Sequence, residues 1–475
     1  MLDIQSAALR RRLARARDRI ALPAAAVAVI AAAGGCGRAK TSKPDTPPRT
    51  QLTLTVVSRG DVKSALPQVV QLVAEQELRR ADLHHGPGTP SGVLAIRLES
   101  TRDGVRIKQQ LYRGARGLGS DVHMRRCCAE GHVDRLRRQL RLLLSTVTER
   151  AIPGPRPLWK GAAFTDDQLS NVLVAGAHWL ITHAERTGAF ELSDLQQVFL
   201  ILRQSARDPA LRRLGARVGL QLARRFLRLA PRPKATDPVA QLFDHAAGLY
   251  FSGRLGLEAS PNYRKAVQLA FQYASPERLF RKSQPPNEVR DLLDWLVDLY
   301  FPFKLGLSQP TRYTDIVARA RRYTFPFGVF ETPKTLEDRT YLATHVVYVL
   351  SDFNECRLQE TQLRPLVRFL EKAARVYLAM DDVETLGEIA DALKIVGRGY
   401  RCPLLRKILG RLLQRQNGDG SWGDIHSKDS YKRYHTTWTA FNGLLEYRFA
   451  PGSAADPAIR RAWQTGADQA ARPNP

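Results

Sequence analysis

The sequence is poor in cysteine and methionine, with five Cys and three Met among 475 residues. An exported domain stabilised by disulfides carries more cysteine, so a disulfide scaffold is excluded. Acidic residues are also few beside basic ones, 46 against 73, which gives a formal net charge of +27. The sequence has no zinc-finger spacing and no aromatic-and-basic platform for single strands, which argues against nucleic acid as a partner. Two interpretations of the charge stay open: attraction to anionic envelope components, or arginines that only solvate helix faces.

Apolar residues form a run near the N-terminus that is short for a membrane-spanning helix. The run is IALPAAAVAVIAAA, Ile20 to Ala33, and it follows the basic stretch LRRRLARARDR, Leu9 to Arg19. Gly34 and Gly35 then precede Cys36. This order of basic, apolar and small residues is typical of a signal peptide, here residues 1–35.

The segment around Cys36 resembles the lipobox of bacterial lipoproteins. That resemblance implies cleavage before Cys36 and lipid attachment to its thiol, so that the lipid anchors a chain that is otherwise outside the bilayer. Gly37 stands where an Asp would signal retention in the inner membrane, so we expect a place in the cell envelope, on the outer membrane if the cell has one. Residues 36–51 read as a proline-containing tether. The alternatives are ordinary secretion or an unprocessed N-terminal helix.

Residues 52–150 have the pattern of a small α+β region. The stretches GVLAIRLES and GVRIKQQLYR alternate as strands do, and TRDG between them is a turn signal. The same region holds a group that could bind zinc through thiolate and imidazole: His123, Cys127, Cys128 and His132. Adjacent cysteines chelate poorly, so a structural role is the competing interpretation.

From residue 160 to 450 the sequence predicts only helices. We place twelve, at 166–186, 191–205, 208–229, 236–252, 261–272, 286–301, 311–323, 336–352, 357–378, 381–397, 402–416 and 432–449. Six helical hairpins are the number that closes an (α/α)6 toroid, with an inner and an outer ring of helices. The predicted fold is therefore mainly α: a toroid over 160–450 after the small α+β region, with a disordered tail over 451–475.

A short motif follows the eleventh predicted helix. In RQNGDGSWGD, the residues Gln416, Gly420 and Trp422 resemble the QW repeat of terpenoid cyclases and of the related protein prenyltransferases. In that family the motif lies where an outer helix turns into an inner one. The resemblance implies that Gln416 caps helix ends, Gly420 permits the turn and Trp422 seals the joint.

The next helix, YHTTWTAFNGLLEY, looks like the last inner helix of these toroids. The resemblance places His435 where the prenyltransferases have a zinc-ligating His. Their Asp-x-Cys pair does not occur in this chain, and neither does the Asp-x-Asp-Asp or the Asp-Asp-x-x-Asp motif of the cyclases. The zinc site is thus incomplete, and terpene cyclisation is not expected.

A stripe on the eighth predicted helix is the candidate site. It comprises Asp338, Tyr341, His345 and Asp352, and we add His435 from the twelfth helix. Further polar groups on helices assigned to the inner ring are Asp244, His245, Asp291, Asp294, Asp298, Glu388 and Asp391. We expect these residues to line the lumen, the space that the inner ring encloses, with Asp338 and His435 paired at its entrance and Tyr341 and His345 beneath.

Two functions follow from these residues. In the first, the toroid binds a ligand or partner without chemistry. In the second, lumen Asp and His residues serve a hydrolase, a lyase or a metal-dependent transferase, with zinc as the metal. The competing interpretation is structural, because Asp near a helix start is favoured by the helix dipole alone.

The anchor can be tested by fractionation. Replacing Cys36 by Ser removes the thiol to which lipid would be attached. We expect the Cys36→Ser variant to move from the membrane fraction to the soluble fraction and to incorporate no labelled fatty acid. A wild-type chain that takes up no label and fractionates like the variant would contradict the prediction.

Overall fold

The computed structural model describes residues 52–59, 65–80, 92–101, 104–113, 116–125, 136–137, 140, 156–280, 287–307, 313–327, 332–427, 429–449 and 456–470. Over these residues the protein is mainly helical, as the sequence predicts. All of them belong to one compact unit that extends from Arg49 to Pro475. None of the helices in this described part has both the length and the apolarity needed to cross a bilayer.

The first part of the chain contributes a sheet and a helix. Its strands are β1 (Leu52–Arg59), β2 (Gly92–Thr101), β3 (Gly104–Arg113) and β4 (Arg116–Arg125), in that spatial order, and helix α1 is Ala65–Arg80. β1 and β2 are parallel, while the other two pairs are antiparallel. A parallel pair needs a crossover connection, and α1 supplies it between β1 and β2.

The remaining elements are helices. They are α2 (Asp166–Ala184), α3 (Ala189–Ser205), α4 (Pro209–Leu229), α5 (Val239–Arg254), α6 (Pro261–Tyr273), α7 (Pro276–Leu279), α8 (Glu288–Asp298), α9 (Tyr300–Lys304), α10 (Tyr313–Arg322), α11 (Pro333–Leu350), α12 (Glu360–Met380), α13 (Val383–Ile395), α14 (Pro403–Gln414), α15 (Ser430–Leu444) and α16 (Pro457–Ala470). Each of the twelve predicted segments overlaps one of these helices, and the sixth overlaps both α8 and α9.

Side-chain caps set where many of the helices begin. Thr165 accepts a hydrogen bond from the Gln168 backbone N–H, and the Gln168 side chain accepts one from the Thr165 backbone in return. Single caps of the same kind start six further helices, at Asp208, Ser260, Asn287, Thr332, Asp382 and Asp429. Each cap satisfies a backbone donor that has no partner inside the helix.

Buried charge joins α1 to the helical part. Arg137, whose side chain is buried, donates to Glu77 on α1 at 2.8 Å and to Asn171 on α2 at 2.6 Å. Glu75 on α1 accepts from Arg213 on α4 at 2.7 Å. Because a buried charge is stable only when it is paired, these contacts fix α1 against α2 and α4.

The predicted disordered tail is wrong over residues 457–470, which form α16. Ile459, Ala462 and Trp463 are buried, at the spacing of one helix face, and α16 packs against α10. The guanidinium of Arg321 lies 5.2 Å from the centre of the Trp463 ring. Proline and glycine residues on either side of this segment suggested disorder. The segment is nevertheless helical, and its packing against α10 stabilises it.

The turn between α14 and α15 is tied to the first helix of the series. Gln416 Nε2 donates to the carbonyl of Val172 in α2 at 2.8 Å and to that of Gly420 at 3.0 Å. Gly420 has φ +91°, and a Cβ on it would lie 2.4 Å from the carbonyl oxygen of Ala175. Only glycine fits there, because both the backbone conformation and the space exclude a side chain.

Trp422 fills the space beside this turn. Its side chain is fully buried and its Nε1 donates to the carbonyl of Leu412 at 2.8 Å. Gly176 of α2 lies against the indole, where an added Cβ would be 2.9 Å from the ring. The indole is thus held between the end of α14 and the middle of α2.

Removing the Trp422 indole should destabilise the folded protein. We expect Trp422→Ala to lower the free energy of unfolding by about 3–5 kcal/mol, the usual cost of truncating a buried aromatic side chain. The measurement is denaturant or thermal unfolding, with Trp159→Ala as control, since Trp159 is only partly buried. Equal losses in the two variants would contradict a special role for Trp422.

Candidate functional site

Helices α11, α13 and α15 lie side by side and position the site. α13 packs against both of the others, and it approaches α15 closely through two glycines. A Cβ on Gly387 would lie 2.5 Å from the backbone carbon of Thr439, and one on Gly443 would lie 2.8 Å from the Gly387 carbonyl oxygen. Since no side chains separate the two backbones here, polar residues in the first turns of α13 and α15 come within hydrogen-bonding distance.

Glu384 in the first turn of α13 connects the three helices. Its Oε1 accepts from the Tyr341 hydroxyl at 2.8 Å and lies 2.9 Å from His435 Nδ1. Its Oε2 accepts from the Thr436 hydroxyl at 2.9 Å. Both carboxylate oxygens are therefore occupied by side chains of α11 and α15.

The His435–Glu384 contact is an ion pair. Burial by itself would raise the pKa of Glu384, but the charge of His435 and the three hydrogen bonds lower it to about 2. Burial by itself would lower the pKa of His435. The charge and hydrogen bond of Glu384, with the charges of Glu388 and Asp194 adding to them, instead raise it to about 9. At neutral pH His435 is cationic, and both of its ring nitrogens are donors.

His345 has the opposite protonation state. Its Nδ1 lies 2.8 Å from the backbone carbonyl of Tyr341, which can only accept, so Nδ1 carries the proton. Burial lowers the pKa of His345 to about 4. The ring is therefore neutral, and Nε2 is left as an acceptor.

Glu388 lies one turn beyond Glu384 on α13. One of its oxygens accepts from the Thr344 hydroxyl at 2.7 Å and lies 4.0 Å from His345 Nδ1. Burial raises the pKa of Glu388 to about 8, in spite of the opposing influence of His435 and Thr344. The site thus combines a protonated carboxyl with a neutral imidazole.

Several side chains near this cluster are partly exposed although they behave as desolvated groups. Tyr431 is 40% exposed, yet burial raises its pKa above the ordinary value. Asp298 on α8 is also partly exposed, and burial raises its pKa to about 8. Both observations fit side chains that face an enclosed space. Asp194 on α3 accepts a hydrogen bond from the hydroxyl of Tyr434, which neighbours His435 in α15.

Asp338 does not join this cluster. It is buried, and it accepts from Asn287 Nδ2 at 2.9 Å and from Lys334 Nζ at 2.7 Å. The predicted pairing of Asp338 with His435 is wrong, because the carboxylate that contacts His435 is Glu384. Asp338 is three residues from Tyr341 on α11, and it faces the start of α8, whereas Tyr341 faces α13.

Asp352 lies beyond the other end of α11, with φ +54°. Lys304 Nζ is 3.1 Å from its carboxylate, and the hydroxyls of Tyr250 and Tyr300 donate to it. Fourteen residues separate Asp352 from Asp338, about 21 Å along a helix. The predicted stripe is therefore divided: its ends bind neighbouring helices, whereas Tyr341 at its centre shares the Glu384 carboxylate with His435.

Three of the other predicted polar groups, His245, Asp294 and Asp391, have local partners. His245 is fully buried, and its Nδ1 lies 2.7 Å from the Tyr263 hydroxyl on α6, so it does not face the Glu384 cluster. Asp294 pairs with Arg290 at 3.0 Å. Asp391 accepts from Asn354 at 3.0 Å and from the Tyr447 hydroxyl at 2.5 Å.

The predicted zinc groups receive no support from the described residues. Cys127, Cys128 and His132 lie outside them, and of His123 only the backbone, in β4, is described. No group of three His, Cys, Asp or Glu in the described part of the chain has the arrangement of a metal site.

Glu384 is the residue that the sequence analysis missed. It stands in the first turn of its helix, where the helix dipole is reason enough for an acidic residue. The available signal was its spacing: Glu384 and Glu388 are four residues apart, so they share one face of α13.

Comparison of this chain with family models, with curated proteins and with solved structures found no match. The site must therefore be interpreted from its own chemistry.

The ion pair predicts the titration of His435. In Glu384→Gln the burial remains while the carboxylate is lost, so we expect the pKa of His435 to fall from about 9 to below its ordinary 6.5. Imidazole NMR signals followed against pH measure it, and the exposed Glu337→Gln is the control.

The same pair has a consequence for stability. A raised imidazole pKa stabilises the fold fully below pH 6.5, and this contribution is lost as pH rises through about 9. The stability advantage of the wild type over Glu384→Gln should therefore shrink across that interval. An advantage that is constant from pH 6 to 10 would show that the ion pair is not formed.

Proposed function

We propose that helices α2 to α15 form an (α/α)6 toroid. The inner helices would be α3, α5, α8 with α9, α11, α13 and α15, and the outer ones α2, α4, α6, α10, α12 and α14. In support, successive members of the proposed inner ring are in contact from α11 through α13 to α15, from α8 to α11, and from α3 through α5 to α9.

Contacts between the two ends of the series also support the toroid. α15 packs against α2, and the backbone N–H of Arg207 donates to the carbonyl of Glu446 at 2.7 Å. The Arg448 N–H donates to the Ser205 carbonyl, also at 2.7 Å. A series that closes on itself requires such contacts, whereas an open array of hairpins leaves its ends apart.

We propose further that the protein is a lipid-anchored lipoprotein of the cell envelope, whose toroid binds a polar ligand without chemistry. The observation that carries the binding role is the pair of imidazoles with different Nδ1 partners, the Glu384 carboxylate for His435 and a backbone carbonyl for His345. His435 presents an N–H donor with positive charge, and His345 presents a neutral acceptor. A ligand with an anionic or carbonyl oxygen at one position and a hydroxyl at another would satisfy both, and Tyr431 and Trp438 supply aromatic surface beside His435.

A second candidate function is a hydrolase or lyase that uses the same cluster. The specific observation is Glu388, which keeps its proton at neutral pH and lies 4.0 Å from His345. A protonated carboxyl next to a neutral imidazole can supply a general acid and a general base. Glu384 would take no part, since both of its oxygens accept hydrogen bonds.

Thermal unfolding tests the binding role. With galacturonate, N-acetylglucosamine and glycerol phosphate as probes, we expect at least one to raise the unfolding midpoint of the wild type by mass action. His345→Ala should lose this shift and keep most of its own stability, because the ring is partly exposed. If none of the probes shifts the midpoint, or if the variant shifts equally, a ligand of this kind does not bind here.

Mass spectrometry of the recovered probe separates the two functions. An intact probe supports the non-catalytic role, for which Glu388→Gln should bind as well as the wild type does. A di- or trisaccharide of the same sugars that is cleaved by the wild type and left intact by Glu388→Gln would instead establish the hydrolase or lyase.

A further inference from the structure

Outer helices α12 and α14 border a groove on the surface, away from the Glu384 cluster. The groove has a volume of about 700 Å³ and is lined by residues of these two helices alone. Four of the lining residues are cationic: Arg375 on α12, and Arg406, Lys407 and Arg411 on α14. None of the lining residues is acidic, and apart from Gln414 the remaining ones are small or aliphatic, such as Leu378 and Leu404.

Most of this positive charge is not neutralised inside the protein. Arg411 lies 3.4 Å from Asp381, which also pairs with Arg415. Among the described residues, Arg375, Arg406 and Lys407 form no ion pair and no side-chain hydrogen bond. Their charge is therefore available to an anionic partner.

The cationic surface extends beyond the groove along α12. Arg364, Arg368, Lys372 and Arg375 are all exposed, at intervals of three or four residues, and so form one stripe. The stripe is about 16 Å long from Arg364 to Arg375 at 1.5 Å per residue. The cations therefore form two rows: the stripe on α12, which reaches the groove at Arg375, and Arg406, Lys407 and Arg411 on α14, which line it.

We propose that this groove binds an acidic polysaccharide chain. A single small anion would need only one of the cations, whereas a chain with a carboxylate on each sugar can meet both rows. A planar bilayer cannot reach the floor of a concave groove. Single-stranded nucleic acid is disfavoured because no aromatic side chain lines the groove to stack on bases. Leu378 and Leu404 offer apolar surface to the C–H faces of sugar rings.

The test measures binding of polygalacturonate to the full chain, by affinity electrophoresis or calorimetry, with neutral dextran as the uncharged comparison. The groove variant is Arg375→Glu with Lys407→Glu. The matched control is Arg224→Glu with Arg228→Glu on α4, two exposed cations without ion pairs among the described residues. Both double variants change the net charge equally, so a difference between them reports on position.

We expect the groove variant to bind polygalacturonate at least about tenfold more weakly than the wild type, a loss of roughly 1.4 kcal/mol or more. The control should bind nearly as the wild type does, dextran should not bind, and added salt should weaken binding. Equal losses in both variants, no binding by the wild type, or a groove-dependent preference for anionic vesicles or an oligothymidylate would each overturn the proposal. The lumen is tested separately, since groove variants should keep any midpoint shift that depends on His345.

Discussion

The contact between the first and the last helices of the series is the constraint on which the rest of the helical structure depends. Gln416, Gly420 and Trp422 make this contact from one turn, against Val172, Ala175 and Gly176 of α2. Helices elsewhere in the series contact the adjacent helix and also the helix two or three places further on, so the position of each depends on several packing contacts. If the turn did not fit α2, small errors in position would accumulate, and the helices that meet around Glu384 would not be held at hydrogen-bonding distance.

The interior of the helical part tolerates many polar groups because these groups are paired with one another. Burying a charge is costly unless it is paired, and an apolar residue is often as stable in its place. The interior nevertheless holds extensive networks. Asn354 and Tyr447 donate to Asp391, and Lys394 Nζ donates to the carbonyls of Asn442 and Leu445 at 2.8 and 2.5 Å. Such networks fix side chains in one arrangement, which a binding site needs and a purely structural core does not.

The sequence predicted the helices better than the site, for a physical reason. Apolar periodicity and capping residues are local signals, and each predicted segment of the series has its helix. The partner of a polar residue is decided by which face of its helix meets which neighbour. Asp338 and Tyr341 are three residues apart and meet different helices, α8 and α13. The pattern of seven correctly places Asp338 and His345 on one face of α11, but Asp352 lies beyond the end of that helix. It cannot show that the two ends of that face are covered by Asn287 and Lys304.

The two imidazoles differ in charge at neutral pH: His435 is cationic and His345 is neutral. Burial disfavours a charge on either ring, and only His435 has a carboxylate as its Nδ1 partner. The Nδ1 partner of His345 is a backbone carbonyl instead. This carbonyl accepts a hydrogen bond from the protonated nitrogen, but it brings no negative charge to offset desolvation. The difference therefore comes mainly from Glu384, with Glu388 and Asp194 adding to it. Because Glu384 is itself held by Tyr341 and Thr436, its charge cannot turn away toward His345. The donor at His435 and the acceptor at His345 are thus preorganised, which would reduce the cost of ordering them on binding the ligand proposed above.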